Sequence, residues 1–392
     1  MTFADVLFTF LLIAFLPAYF LTVELLAGLL PYKTRRYTQK PSSCAIIIPA
    51  HNEEITLATT LASLKDQVSE NDRVIVVADN CTDATAAIAR RMGAEVLERF
   101  DTEKRGKGYA LAHAISHLRS SPVEMVIFVD ADCRAEPGSI AILKSACATY
   151  DNPVQSCYRF YAPQGAPATR KISEFALYIK NHVRMLGLHR LGGSVPITGS
   201  GFAIPFDLLQ RFDLNTGNIV EDMKLGVDIA LSGKRVRYVP EAQISTPLPI
   251  TNADAHKQRT RWEHGHVATI LRYGPRLLGT AIRNFSKAQL FTALDLAVPP
   301  ILILLSIAIV ASGAGITLAY ALSDLRLFYA ALAPLIFIVS GLVAVNWQAK
   351  IIRPHQLPDI FSYAFGKVDI YHKFVSGSTS GWEKTKRDQP SK

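Results

Sequence analysis

Cysteine is scarce and unpatterned: Cys44, Cys81, Cys133, Cys147 and Cys157 are odd in number and show no Cys-x-x-Cys spacing. That argues against a disulfide framework and against a zinc site, and leaves them as small residues for a core. The sequence also lacks Gly-x-x-x-x-Gly-Lys-[Ser/Thr] and Gly-x-Gly-x-x-Gly after its first strand-like run, so neither a P-loop nor a dinucleotide fingerprint is available to hold phosphates. No segment interleaves aromatic with basic residues as a nucleic-acid surface does. The net charge of +9 is therefore assigned to membrane lipids and a phosphate-bearing substrate, not to nucleic acid. Met1 to Asp5 contain no Lys or Arg, so the apolar run that follows lacks the basic start of a cleaved leader.

What the chain has in plenty is apolar residues, 49% of 392, concentrated toward its two ends. Val6 to Leu30 is broken by one charge, Glu24, and is long enough to cross a bilayer. Lys33, Arg35, Arg36 and Lys40 follow it, which places the central domain in the cytoplasm, at a bacterial-type inner membrane. Leu296 to Leu322 and Leu327 to Val345 read as a helical hairpin, with Lys350 and Arg353 returning the chain to the same side. None of these runs carries the polar or broken-helix marks of a substrate path, which argues against a transporter.

Between the ends the pattern alternates strand and helix. Ala45 to Ile48, Val74 to Ala78 and Met125 to Val129 are short apolar runs and Glu95 to Arg99 a short third strand, separated by helical spacing, which predicts an α/β fold with a mostly parallel sheet flanked by helices. Each run ends in polar residues: Pro49-Ala50-His51-Asn52-Glu53, then Asp79-Asn80, then Arg105-Gly106-Lys107-Gly108, then Asp130-Ala131-Asp132. In such a sheet ligands sit at the carboxyl ends of the strands. Carboxylates there suit base and ribose hydroxyls, a lysine suits a diphosphate, and two carboxylates one residue apart suit a hard divalent cation. The plainer alternative for the Asp pair is turn and helix-cap chemistry. For Glu221 and Asp222, which open a later helix, it is stabilisation of that helix's amino-terminal dipole.

The ordered set Pro49 to Glu53, Asp79, Asp130-Ala131-Asp132, Glu221-Asp222 and Gln258-x-x-Arg261-Trp262 resembles the membrane-embedded, inverting glycosyltransferase family 2 enzymes of GT-A fold, which include cellulose, chitin, hyaluronan and poly-N-acetylglucosamine synthases. The resemblance implies a nucleoside-diphosphate sugar, UDP-linked by expectation, as donor. It implies that Pro49, Asn52, Glu53, Asp79, Lys107 and Asp130 would bind the donor, and that Asp132 with Asp130 would hold Mg2+ or Mn2+. Asp222, beside Glu221, would be the general base. Thr198, Gly199, Ser200, Gly201, Gln258, Arg261 and Trp262 would form the acceptor and diphosphate end, and Trp382, Thr385 and Arg387 a lid. The tail departs from the family's Trp-Thr-Arg pattern by extra residues, and the spans are fewer than polymer-secreting members have.

The expected organisation is an anchor and basic linker (1–40), a cytoplasmic GT-A-like domain (41–250), a membrane-interface segment (251–290), a transmembrane hairpin (291–348) and a cytoplasmic amphipathic helix with tail (349–392). The expected product is a polysaccharide or lipid-linked glycan, with an export partner or oligomer completing secretion. Two rivals stand beside it: single addition of a sugar to a lipid acceptor, and a catalytically silent scaffold that binds nucleotide sugars.

Overall fold

The computed structural model describes residues 2–39, 43–217, 220–249 and 251–365. The amphipathic helix expected within 349–392 is described only as far as Asp359–Phe365, and Trp382, Thr385 and Arg387 lie outside the described residues. These residues form two compact units.

The first unit, residues 32–166 and 194–265, is built on an eight-stranded sheet. Its strands are β1 (Cys44–Ala50), β2 (Asp72–Asp79), β3 (Glu95–Arg99), β4 (Met125–Phe128), β5 (Arg134–Ala135), β6 (Val154–Tyr161), β7 (Phe202–Pro205) and β8 (Arg237–Pro247), in the order β3-β2-β1-β4-β7-β6-β8-β5. The first four are parallel and β7 runs antiparallel to β4, so the sheet is mixed and mostly parallel, with helices around it, as expected. β1 and β4 are unbroken buried apolar runs because both of their faces are covered. The chain moves from β1 outward to β3 and then returns to the other side of β1 to form β4. The switch in direction therefore falls between β1 and β4, the place in such sheets where ligands are held at the carboxyl ends of the strands.

The second unit, residues 2–31, 167–193 and 266–365, is helical. Ile301–Leu322 and Leu325–Ala349 are each long and apolar enough to cross a membrane. The hairpin's first helix starts later than its apolar run because Pro299-Pro300 separate it from Lys287–Leu296. The expected amino-terminal span is two helices, Phe3–Ala14 and Leu16–Leu29, bent by 43° at Phe15, so among the described residues the membrane-length candidates number two, or three if the bent pair is one. Pro17 accounts for the break: it lacks an N–H and its ring crowds the carbonyl four residues earlier.

Glu24, the one charge in that first apolar run, is fully buried. Arg184 Nε donates to Glu24 Oε2 at 3.1 Å, while another guanidinium nitrogen reaches Asp295 Oδ1 at 2.5 Å. Gly28 lies against the Val183 carbonyl and Gly187 against the Glu24 carbonyl, so these helices meet backbone to backbone, with no room for a Cβ. The helical stretch that carries Arg184 is made of Ala168–Tyr178, a π-helical segment Ile179–Val183, and Arg184–Leu191. Its wide turn buries Asn181 along with Ile179 and Val183.

Candidate active site

All of the described residues expected in the site belong to the sheet-based unit. Registry explains much of their convergence. Ala50 stands opposite Ala78, Asp79 opposite Arg99 and Ile47 opposite Phe128, so the parallel strands, though unequal in length, run out toward one edge. Pro49 to Glu53, Asp79 and Asp130 to Asp132 follow at that edge.

Past β1, Asn52 adopts φ 53, the left-handed conformation that Asn tolerates, and its Oδ1 accepts the Thr82 N–H at 2.7 Å. The Glu53 N–H donates to Thr85 Oγ1 at 2.7 Å and its carboxylate accepts from Thr56 Oγ1 at 2.8 Å. Asp79 is buried, with Oδ1 held by Arg99 at 2.6 Å, and Arg99 in turn lies over the Tyr109 ring. Sequence reasoning did not assign Arg99 a part. Its signal would have been a cation at the end of a strand neighbouring Asp79.

Asp130 follows β4 in a tight turn closed by the Cys133 N–H on the Asp130 carbonyl at 3.0 Å. The Asp130 N–H donates to Ser200 Oγ at 3.0 Å, which ties the turn to Thr198-Gly199-Ser200-Gly201. That small-residue segment is itself fixed by buried Gln155, whose Oε1 accepts the Thr198 N–H at 3.1 Å and whose Nε2 donates to the Ser200 carbonyl at 3.0 Å. Gly199 sits at φ +88 with room to spare for nothing larger: a Cβ there would lie 3.2 Å from Asp222 Oδ2 and 3.8 Å from Asp130 Oδ2. Asp222 and Glu221 thus come to the Asp130 turn across the glycine, from the first turn of helix Glu221–Leu231. The Met223 N–H also donates to Asp222 Oδ1 at 2.8 Å, so Asp222 does some of the capping that its position in the sequence allows.

Lys107 lies at the centre of this group. It opens helix Lys107–Leu118, and its Nζ is 2.5 Å from Asp130 Oδ1 and 3.8 Å from Glu221 Oε1, and donates to the Gly199 carbonyl at 2.7 Å. Burial works against the ammonium, but the charges of Asp130, Glu221 and Asp222 outweigh it and hold its pKa above the ordinary value. Glu221 is buried, and burial pushes its carboxyl up to about 7; Lys107 pulls it down and the Asp222 and Asp130 charges add to the rise.

The donor set at the Asp130 turn suits a hard cation. Asp130, Asp132 and Cys133 bring ligand atoms within 4.8 Å of one another. Burial pushes the Cys133 thiol up to about 12, while the two half-buried carboxylates supply the hard oxygen donors that suit such a cation. Oxygen-only donors with room for water favour Mg2+ or Mn2+ over a thiolate-loving metal.

Gln258, Arg261 and Trp262 lie on helix Asn252–Arg283, and the structure treats them unequally. Gln258 is buried, whereas Arg261 and Trp262 are half-buried. The Trp262 ring packs edge-on to Phe160 of β6 with centroids 5.3 Å apart, a neighbour that sequence reasoning missed.

Comparison with known proteins fits this geometry. The chain is 25% identical over 256 residues to a probable glycosyltransferase of Bacillus subtilis, covering 62% of this chain and 59% of that protein. It is 39% identical over 108 residues to the 4,4'-diaponeurosporenoate glycosyltransferase of Staphylococcus haemolyticus, covering 26% of this chain and 28% of that one. The matched stretches thus span less than two thirds of either relative. Among solved structures, a mannosyltransferase from Pyrobaculum calidifontis in complex with GDP-Man and Mn2+ superposes with a TM-score of 0.55 at 19% identity, over 88% of this chain and 99% of that one, a likeness of fold. Residues 41–265, more than half of the chain, match the family described as glycosyltransferase like family 2, and the chain belongs to that family.

Proposed function

We propose that this chain transfers one sugar from a nucleoside-diphosphate sugar, a UDP-sugar in the first instance, to a lipid-borne acceptor at the membrane. The observation that carries the reading is the meeting of Lys107, Asp130, Glu221 and Asp222 around Gly199 at the carboxyl edge of the sheet. Single addition to an apolar acceptor is favoured over polymer extension by the two or three membrane-length helices. The relatives named for 4,4'-diaponeurosporenoate, a carotenoid acid, support the same choice.

The residues divide the chemistry as follows. Pro49, Asn52, Glu53 and Asp79 form the base and ribose side, with Arg99 fixing the Asp79 carboxylate. Asp130 and Asp132 would hold Mg2+ or Mn2+. When bound, such a cation would neutralise charge building on the departing diphosphate. Asp222 accepts the proton of the acceptor hydroxyl as that oxygen attacks the anomeric carbon, and the bond to the diphosphate oxygen breaks with its electron pair leaving on the phosphate. One base and no enzyme nucleophile give inversion. Asp222 is preferred to Glu221 because Glu221 is buried while Asp222 is half-exposed. Thr198 to Gly201, Arg261 and Trp262 line the acceptor side, with Gln258 supporting them from within its helix. The sheet-based unit works on the cytoplasmic face, and residues 251–290 lie at the membrane surface.

The test is to incubate the membrane-extracted protein with labelled UDP- and GDP-sugars and a lipid extract, then partition and size the product. An organic-soluble product carrying one sugar is expected, and a long aqueous polymer would refute the choice of acceptor. Asp222→Asn should keep its capping function and donor binding while losing transfer at least about 10²-fold. Transfer at the unaltered rate would show that Asp222 is not the base.

A further inference from the structure

We infer that Lys107 is the resident counter-ion of the acidic cluster, and that it holds off a free divalent cation until the donor's diphosphate draws its ammonium away from Asp130. The inference rests on the proposed use of Asp130 and Asp132 as cation ligands. Three observations carry it. Lys107 Nζ lies 2.5 Å from Asp130 Oδ1, so the ammonium already neutralises one of the two carboxylates a cation needs. It lies 3.8 Å from Glu221 Oε1 and donates to the Gly199 carbonyl, and a Cβ on Gly199 would stand 3.7 Å from Nζ and 3.2 Å from Asp222 Oδ2. One ammonium is therefore shared by acids from two separate segments, the Asp130 turn and the helix opened by Glu221 and Asp222, and by the Gly199 carbonyl of a third, and it holds the three together. Finally, the group is half-buried, so its charge is poorly screened and acts on anything entering the same small volume.

The electrostatics then have a definite sign. A bare dication approaching Asp130 meets an ammonium already bonded to that carboxylate and must displace or tolerate it. A dication that arrives on a sugar nucleotide's diphosphate has its two charges matched by the two phosphate charges, so it no longer repels the ammonium. It also offers Lys107 new oxygen partners. Lysine suits this exchange because its charge is carried on a flexible four-carbon stem, so the side chain can transfer from Asp130 to phosphate while the start of the helix stays in place. An arginine would keep the repulsion, whereas a neutral side chain of similar length would remove it.

The experiment measures Mn2+ binding directly, by electron paramagnetic resonance of free Mn2+ against the full-length protein in detergent, with and without UDP or GDP. Without nucleotide, Lys107→Met should bind Mn2+ at least about tenfold more tightly than the wild type, and Lys107→Arg should stay within about threefold of it. Adding nucleotide should narrow the gap between wild type and Lys107→Met. Lys107→Gln serves as a second neutral variant, with thermal melting as the check that each protein is folded. Equal or weaker Mn2+ binding by both neutral variants would overturn the inference and leave Lys107 as a support for the turn. Absence of Mn2+ binding in every protein would overturn it too. If the Mn2+ pattern holds but no sugar nucleotide supports transfer, the proposed function fails and the counter-ion role stands.

Discussion

Glu221→Gln gives a test of the site's electrostatics that needs no substrate. Glu221 is buried, and its carboxyl titrates at about 7 in the folded protein against 4.5 when unperturbed. Between those two values the folded state binds more protons than the unfolded chain, so wild-type stability falls as pH rises through the window. Below about 4.5 the carboxyl is neutral in both states and the fold keeps its full stability. Above about 7 it is ionised in both states and the desolvation cost is carried in full. A displacement from 4.5 to about 7 corresponds to about 3 kcal/mol. Glutamine has nearly the same shape and cannot ionise, so the variant lacks this loss. Thermal unfolding in detergent from pH 4 to pH 9 should therefore show the two proteins nearly matched at the acid end. The variant should pull ahead by several degrees through neutrality and hold that lead above it. A difference that is flat with pH, or that grows toward acid, would mean that Glu221 is not held in a charge-disfavouring site.

Three further outcomes are expected. Arg184→Met leaves Glu24 and Asp295 as buried carboxylates without their cation, and should cost about 3–5 kcal/mol in thermal or denaturant stability; the triple change to Met with Glu24→Gln and Asp295→Asn should recover much of that. Gly199→Ala must accept φ +88 and place a methyl 3.2 Å from Asp222 Oδ2. It should cost about 1–2 kcal/mol in stability yet lower transfer by more than about tenfold, and full activity would separate Gly199 from the working site. Trp262→Ala removes the ring that packs on Phe160. It should raise the acceptor KM while leaving donor affinity unchanged, whereas a loss of stability alone would make the ring a packing element of the sheet.

The parallel half of the sheet was legible because one local rule governs it. β1, β2 and β4 are short runs rich in apolar residues with polar residues at their carboxyl ends, and registry brings Glu53, Asp79 and Asp130 to one edge. The other half was not, because β6 pairs with β7 and β8, and β5 of two residues pairs with β8, through contacts that no local periodicity encodes. The bend in the first apolar run had a visible cause in Pro17, but hydropathy averages over such a break. Glu24 was visible as an exception within that run, while its partner Arg184 lies 160 residues away, beyond the reach of any local pattern.

Lys107 shows where reading by motif stops. A lysine after a glycine at a strand-to-helix turn suggests a phosphate ligand, and a family resemblance suggests the same. Neither contains the fact that Gly199, 92 residues later, presents its carbonyl to that ammonium, or that Asp130 presents its carboxylate from the neighbouring turn. Those contacts exist because β4 is inserted beside β1 and β7 is laid antiparallel on β4, so that the ends of three separately encoded segments come together. A charge's chemical type can be read from one position, but its work depends on which opposite charges the topology brings within a few ångströms. At this site those partners are three carboxylates, which is why the lysine's role is tested by what a free cation does in its absence.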